Sequence, residues 1–141
     1  MHKFCMIIMT FILSFSLCYT FCSAAETMKI GLIMPLTGPN AMIGQEEKRG
    51  IDMAIEKINA AGGALKKKVE LIIEDNRGDP TVIVSAAEKL ITRDKVVALT
   101  GGYSSVESLA LLAAMKKYEP VMVWQGGGAV KMDRMYGKER W

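Results

Sequence analysis

Beyond residue 25 the chain contains no cysteine and no histidine; all three cysteines and the single histidine precede that point. The absence excludes a good deal of chemistry. A serine-histidine-aspartate triad needs an imidazole to take the serine proton, and thiol catalysis needs a thiolate. Structural zinc sites need Cys or His ligands. Carboxylates remain, at Glu46-Glu47, Glu70 and Glu74-Asp75, but they form no convincing acid/base pair. Glu46-Glu47 belongs on the first turn of a helix, where negative charge complements the helix dipole. Glu74 and Asp75 end a strand, so their side chains point to opposite faces. Any catalytic base would be Asp, Glu, Lys or Tyr.

Phosphate-binding loops are missing too. Gly38 and Gly44 do not make GxGxxG, and nothing matches GxxxxGK[ST]. Gly126-Gly127-Gly128-Ala129-Val130-Lys131 lacks the spacing and the Ser/Thr. The net charge of +3 is mild and evenly spread, which argues against a nucleic-acid partner. Lys66-Lys67-Lys68 reads as a solvated turn, and the eleven methionines as leader and core filling rather than a metal site.

What is present begins with a leader. His2 and Lys3 give a positive start, Phe4 to Phe21 run almost wholly apolar, and Cys22-Ser23-Ala24-Ala25 offers small residues to a signal peptidase. Residues 1–25 are expected to be a signal peptide, cut after Ala24 or Ala25. An uncleaved anchor is the alternative, but Thr10, Ser14, Ser16 and Thr20 dilute the run near the lower length limit for a span. Neither Cys18 nor Cys22 follows a small residue, which disfavours a lipoprotein. An exported domain of this composition needs no disulfide and suits a periplasm.

Residues 26–141 are enough for one small domain. Lys29–Pro35 reads as a buried parallel strand, and Leu36–Gly44 as a loop. A first helix follows from about Gln45, burying Ile51, Ala54, Ile55 and Ile58 and stopping at Gly62-Gly63. Val69–Asp75 is the second strand. Asp79 and Pro80 suit the cap and first position of a second helix, which runs to about Arg93 with Ile83, Ala87, Leu90 and Ile91 inward. Val96–Thr100 is strand three, and Gly101-Gly102-Tyr103 a turn. Ser104 or Ser105 caps a third helix reaching about Tyr118, and Val121–Trp124 is strand four. This alternation predicts an α/β fold, a doubly wound parallel sheet with flavodoxin-like strand order and right-handed crossovers. In the third helix Val106, Leu109, Ala110 and Ala113 form an apolar stripe with Leu111 and Leu112 partly off it, so a homodimer through that helix is one reading and double coverage the other.

In such a sheet, ligands bind beyond the carboxyl ends of the strands, where the strand order reverses. Three loops converge there: Leu36–Gly44, Gly101–Ser105 and Gln125–Gly128. Gly101 and Gly102 permit close backbone approach, Ser104 and Ser105 offer hydroxyls, and the third helix presents N-terminal amides that suit a carboxylate. The bland reading is that Ser104 only caps and the glycines only turn the chain, with Trp124 in the core.

The segments Lys29–Pro39, Gly44 and Gly50–Gly63, then Glu74-Asp75-Asn76 with Asp79-Pro80 and Gly101-Gly102-Tyr103-Ser104-Ser105, resemble the opening of the type I periplasmic binding proteins, in their leucine/isoleucine/valine-binding branch. That resemblance implies two α/β lobes closing on an amino acid or similar small ligand. It places Ser104 at a serine that binds the ligand carboxylate, with Ser105 and Tyr103 beside it. Gly127 or Gly128 falls near a position holding the same group, and the loop around Ile43 lies near the ligand side chain. Relatives often carry Pro-Ala-Ala-Thr/Ser where this chain has Gln125-Gly126-Gly127-Gly128. The chain also reaches Trp141 where relatives enter their next strand, so residues 26–141 are expected to be an N-terminal lobe without hinge or second lobe.

The implied function is the periplasmic solute-binding component of an ABC transporter, handing a branched-chain amino acid or related small amide or acid to a membrane permease. It is implied to be no enzyme and to need no cofactor or metal. A ligand-binding domain of a sensory receptor, a secreted α/β enzyme and an inert fragment are the alternatives.

Overall fold

A computed structural model describes residues 26–124 of the chain. Four strands, β1 (Thr27–Met34), β2 (Lys68–Asp75), β3 (Ala98–Gly101) and β4 (Val121–Trp124), alternate with three helices, α1 (Ala41–Ala60), α2 (Pro80–Thr92) and α3 (Ser105–Met115). All pairings are parallel, in the order β2-β1-β3-β4. The expected α/β sheet and strand order are therefore what the chain forms. Right-handed crossovers from β1 leftward to β2, and from β2 rightward over β1 to β3, set α1 on one face and α2 with α3 on the other.

The main core lies under α2 and α3. Ile33, Ile83, Ala86, Ala87, Leu90, Leu99, Leu111 and Met115 pack together, with Met122 and Trp124 at the margin. Trp124 is thus core-facing, as its sequence context suggested. Leu32 and Met34 alternate to the opposite face and are also fully buried. On that face β4 turns Val121 and Val123 outward, 65% and 62% exposed.

Local signals explain the helix ends. Asp79 accepts the N–H groups of Thr81 (2.7 Å) and Val82 (3.4 Å), with Pro80 at the first helical position. Gly62 and Gly63 take positive φ, and the Gly63 N–H closes back on the Ile58 carbonyl. Leu65 and Lys66 also adopt positive φ, in a turn closed between Ala64 and Lys67, so the basic run is a solvated turn leading into β2.

Several expectations need correction. The first helix starts at Ala41, not near Gln45, because the Asn40 carbonyl accepts from both Ile43 and Gly44. Gly44 is consequently no loop terminator. It is buried in the helix, where an added Cβ would fall 2.3 Å from the Pro35 carbonyl oxygen. Glu46 and Glu47 then occupy the second turn, where the dipole argument no longer applies, and burial pushes the Glu47 carboxyl up from its usual value. Ala54 and Ile58 are exposed, so the α1 face narrows to half-buried Ile51 and Ile55.

The third helix ends at Met115; Tyr118 and Glu119 close a turn onto the Met115 carbonyl. Its inward face holds Glu107, Ser108, Leu111 and Met115, while Val106 is 64% exposed and Ala113 faces out. The phase is set by polar residues buried at its start, which a count of apolar positions overlooks. The self-association reading is left with Val106 and Ala113 as outward apolar positions.

Gly101 is the tightest point of the sheet. It closes β3 at φ +123, and a Cβ there would lie 2.0 Å from the Ile33 carbonyl oxygen. Gly101→Ala is expected to lower stability by roughly 2–5 kcal/mol, combining backbone strain with a clash against immovable backbone. Urea unfolding measures this, and a loss below about 1 kcal/mol would contradict it.

Candidate ligand site at the carboxyl edge of the sheet

β1 lies between β2 and β3, and its two neighbours are reached by crossovers in opposite directions. The strand order therefore reverses beside β1, where the crossover after β1 runs to one side and the crossover after β3 to the other. Such a crevice is where doubly wound sheets take ligands.

Asp75, the last residue of β2, fixes the β1 loop. One carboxylate oxygen accepts the Leu36 N–H at 2.9 Å and the Thr37 N–H at 3.3 Å; the other accepts the Thr37 hydroxyl at 2.5 Å. The Arg77 N–H donates to it as well, at 2.9 Å. Burial alone would raise the Asp75 carboxyl, but the Thr37 hydroxyl and the Arg77, Leu36 and Thr37 amides outweigh it and hold it below its ordinary value. Glu74, on the opposite face, pairs with Lys89 of α2. Gln45 donates to the Leu36 carbonyl at 3.1 Å, which ties the same loop to α1.

The β3 turn is fixed by a reciprocal cap. The Ser104 hydroxyl accepts the Glu107 N–H at 3.3 Å, while Glu107 Oε2 accepts the N–H groups of Tyr103 at 3.1 Å and Ser104 at 3.2 Å. Gly102 takes φ +83, its N–H donates to the Ile33 carbonyl, and its own carbonyl accepts the Ser108 hydroxyl at 3.4 Å. Ser104 is therefore the cap, and Ser105 the first helical residue. The capping role leaves the Ser104 hydroxyl proton available to donate outward.

The predicted positions fall as follows. Tyr103, Ser104 and Ser105 stand together at the end of β3, all half-buried. Ile43 is half-buried too, but it sits in the first turn of α1 and not on a loop, because that helix begins early. Gly127 and Gly128 lie outside the described residues. The free helix amides expected for a ligand are reduced, since those of Tyr103 and Ser104 are taken by Glu107. Only the N–H groups of Ser105 and Val106 open the helix without an intrahelical acceptor. Sequence reasoning missed Glu107 and Asp75 as organisers. The spacing Ser104-x-x-Glu107 is a capping-box signature that could have revealed the first.

Residues 27–133 match the family described as periplasmic binding protein. The chain belongs to that family. It is similar to an amino acid binding protein of Pseudomonas aeruginosa, 38% identical over 86 residues that cover 61% of this chain and 23% of the relative. It also resembles the Leu/Ile/Val-binding protein BraC3 of Rhizobium johnstonii, 46% identical over 68 residues, 48% of this chain and 18% of the relative. Among solved structures, the branched-chain amino acid transporter substrate binding protein LivJ of Streptococcus pneumoniae, in complex with isoleucine, superposes with a TM-score of 0.74 at 28% identity. The match covers 78% of this chain and 32% of that one. A solute binding protein of Rhodopseudomonas palustris in complex with 3,4-dihydroxy benzoic acid gives 0.70 at 27% identity, over 77% and 29%. The chain thus spans less than a third of each relative's length. The α/β sheet described above is the N-terminal lobe of a type I periplasmic binding protein, a solute-binding and not an enzymatic family.

Asp75 generates a pH prediction. Its folded carboxyl is depressed, so its contribution is complete above the ordinary value of 3.8 and is lost as pH falls through the lower folded value. Asp75→Asn is expected to destabilise the lobe at pH 7 by roughly 1–3 kcal/mol, the range for hydrogen bonds to a charged group. The gap to the native chain should close on acidification below about pH 4. Thermal unfolding across pH tests this; a gap that is constant down to about pH 2 would contradict it.

Proposed function

We propose that this protein is the solute-binding component of an ABC-type importer, taking a branched-chain amino acid or a related small amide or acid. The observation that carries the reading is the turn Gly101–Ser105 at the strand-order reversal, in a chain whose residues 27–133 match the periplasmic binding protein family. The named relatives and the isoleucine complex of LivJ support a small amino-acid-like solute. The benzoate complex keeps aromatic acids within the class.

In this reading residues 1–25 direct export and are removed, and the lobe from Glu26 onward works in the periplasm beside a membrane permease. Catalysis has no role in it. Ser104 donates its hydroxyl to the polar end of the solute. Tyr103 and Ser105 flank that contact and Ile43 meets the solute's apolar part, with Gly127 or Gly128 as a further contact to the polar end. Affinity then comes from hydrogen bonds in a crevice that a second lobe would cover, because a site walled on one side leaves too much of a small ligand in water.

Ser104→Ala tests this through two separable effects. Loss of the cap is expected to lower stability by about 0.5–2 kcal/mol. Loss of the ligand contact is expected to weaken solute binding by about 1–3 kcal/mol in calorimetry on the natural protein. Unchanged affinity in a folded variant would remove Ser104 from the site.

A further inference from the structure

Glu107 is a deeply buried carboxylate in this turn. It is 1% exposed, at the third position of α3, and its Oε2 holds the N–H groups of Tyr103 and Ser104. Those are main-chain donors that a ligand anion would otherwise meet at a helix start. Its Oε1 has no hydrogen-bond partner. None of the ion pairs among the described residues includes it. Oε1 lies 3.7 Å from where a Cβ on Gly78 would stand, and Asn40 Nδ2 lies 3.5 Å from the same point.

We propose that Glu107 is a specificity-determining residue, filling the anion position of the β3 turn with the protein's own carboxylate. The site is thereby biased against a solute carboxylate and toward an uncharged polar group such as a carboxamide. The inference rests on the reading that Ser104 contacts the solute. A group hydrogen-bonded to the Ser104 hydroxyl sits beside the amide that Glu107 already holds. A full negative charge there exceeds the helix's opposing field, equivalent to about half a positive charge at its N-terminus. Repulsion between like charges at such short range outlasts salt screening, which acts over ~8 Å at physiological ionic strength. An uncharged carbonyl accepts the same Ser104 proton without that repulsion.

The test measures isoleucine and isoleucinamide by calorimetry on the natural protein and its Glu107→Gln, Glu107→Thr and Ser104→Ala variants. Melting temperature of each variant establishes that it is folded, and Glu107→Thr serves where Glu107→Gln is not. Removing the charge is expected to shift the affinity ratio about tenfold toward the acid, the scale of one unit charge a few ångströms away in a partly solvated site. A ratio unchanged in folded Glu107 variants, or moved toward the amide, overturns the proposal while a response to Ser104→Ala leaves the site reading intact. If the natural protein binds neither compound, or Ser104→Ala changes neither affinity, the site reading fails and the role of Glu107 falls with it.

Discussion

The structure depends on β1 being paired on both edges at once. Thr27 through Met34 register against Lys68 through Asp75 on one side, and Ile30 through Ile33 against Ala98 through Gly101 on the other. Because both partners are parallel, each must be reached by a helical crossover: the first runs from β1 out to β2, and the second runs back from β2 over β1 to β3. The crevice at its carboxyl end is a consequence of that geometry and needs no dedicated residue to create it. Small residues keep the pairing tight. A Cβ on Gly31 would lie 2.7 Å from a Leu99 methyl, and one on Gly101 would strike the Ile33 carbonyl.

Given the crevice, internal carboxylates shape its rim. Asp75 gathers Leu36, Thr37 and Arg77, and Glu107 gathers Tyr103 and Ser104. Both use backbone N–H groups of loops that would otherwise have to find water or ligand. The loops are ordered before any solute arrives, which lowers the entropy cost of binding. The same arrangement makes the edge of this lobe more negative than its serines and glycines suggest, and it leaves the Ser104 hydroxyl, rather than the Tyr103 and Ser104 amides, free to donate.

Much of this was legible in the sequence because several local signals agree. Asp79-Pro80, Gly62-Gly63 and the apolar segments around Leu32 and Leu99 each have one sensible local conformation, and the βα alternation leaves few topologies. The α1 start was misread because Gly44 resembles a loop residue until Pro35 is seen against it. The α3 phase was misread for a different reason. Glu107 and Ser108 are polar yet buried, and their burial follows from hydrogen bonds to Tyr103, Ser104 and Gly102 that no hydrophobic count contains. At the candidate site, the capping role of Ser104 was legible from its place after β3. Its neighbour's grip on the local amides became visible only once the turn was folded.

The most direct test of a solute held by hydroxyls and main chain at the end of β1 is a crystal structure of the natural protein with isoleucine bound. The polar end of the ligand is expected within hydrogen-bonding distance of the Ser104 hydroxyl, with its side chain toward the α1 start near Ile43. A ligand seated elsewhere, with the Gly101–Ser105 turn empty, would contradict the account.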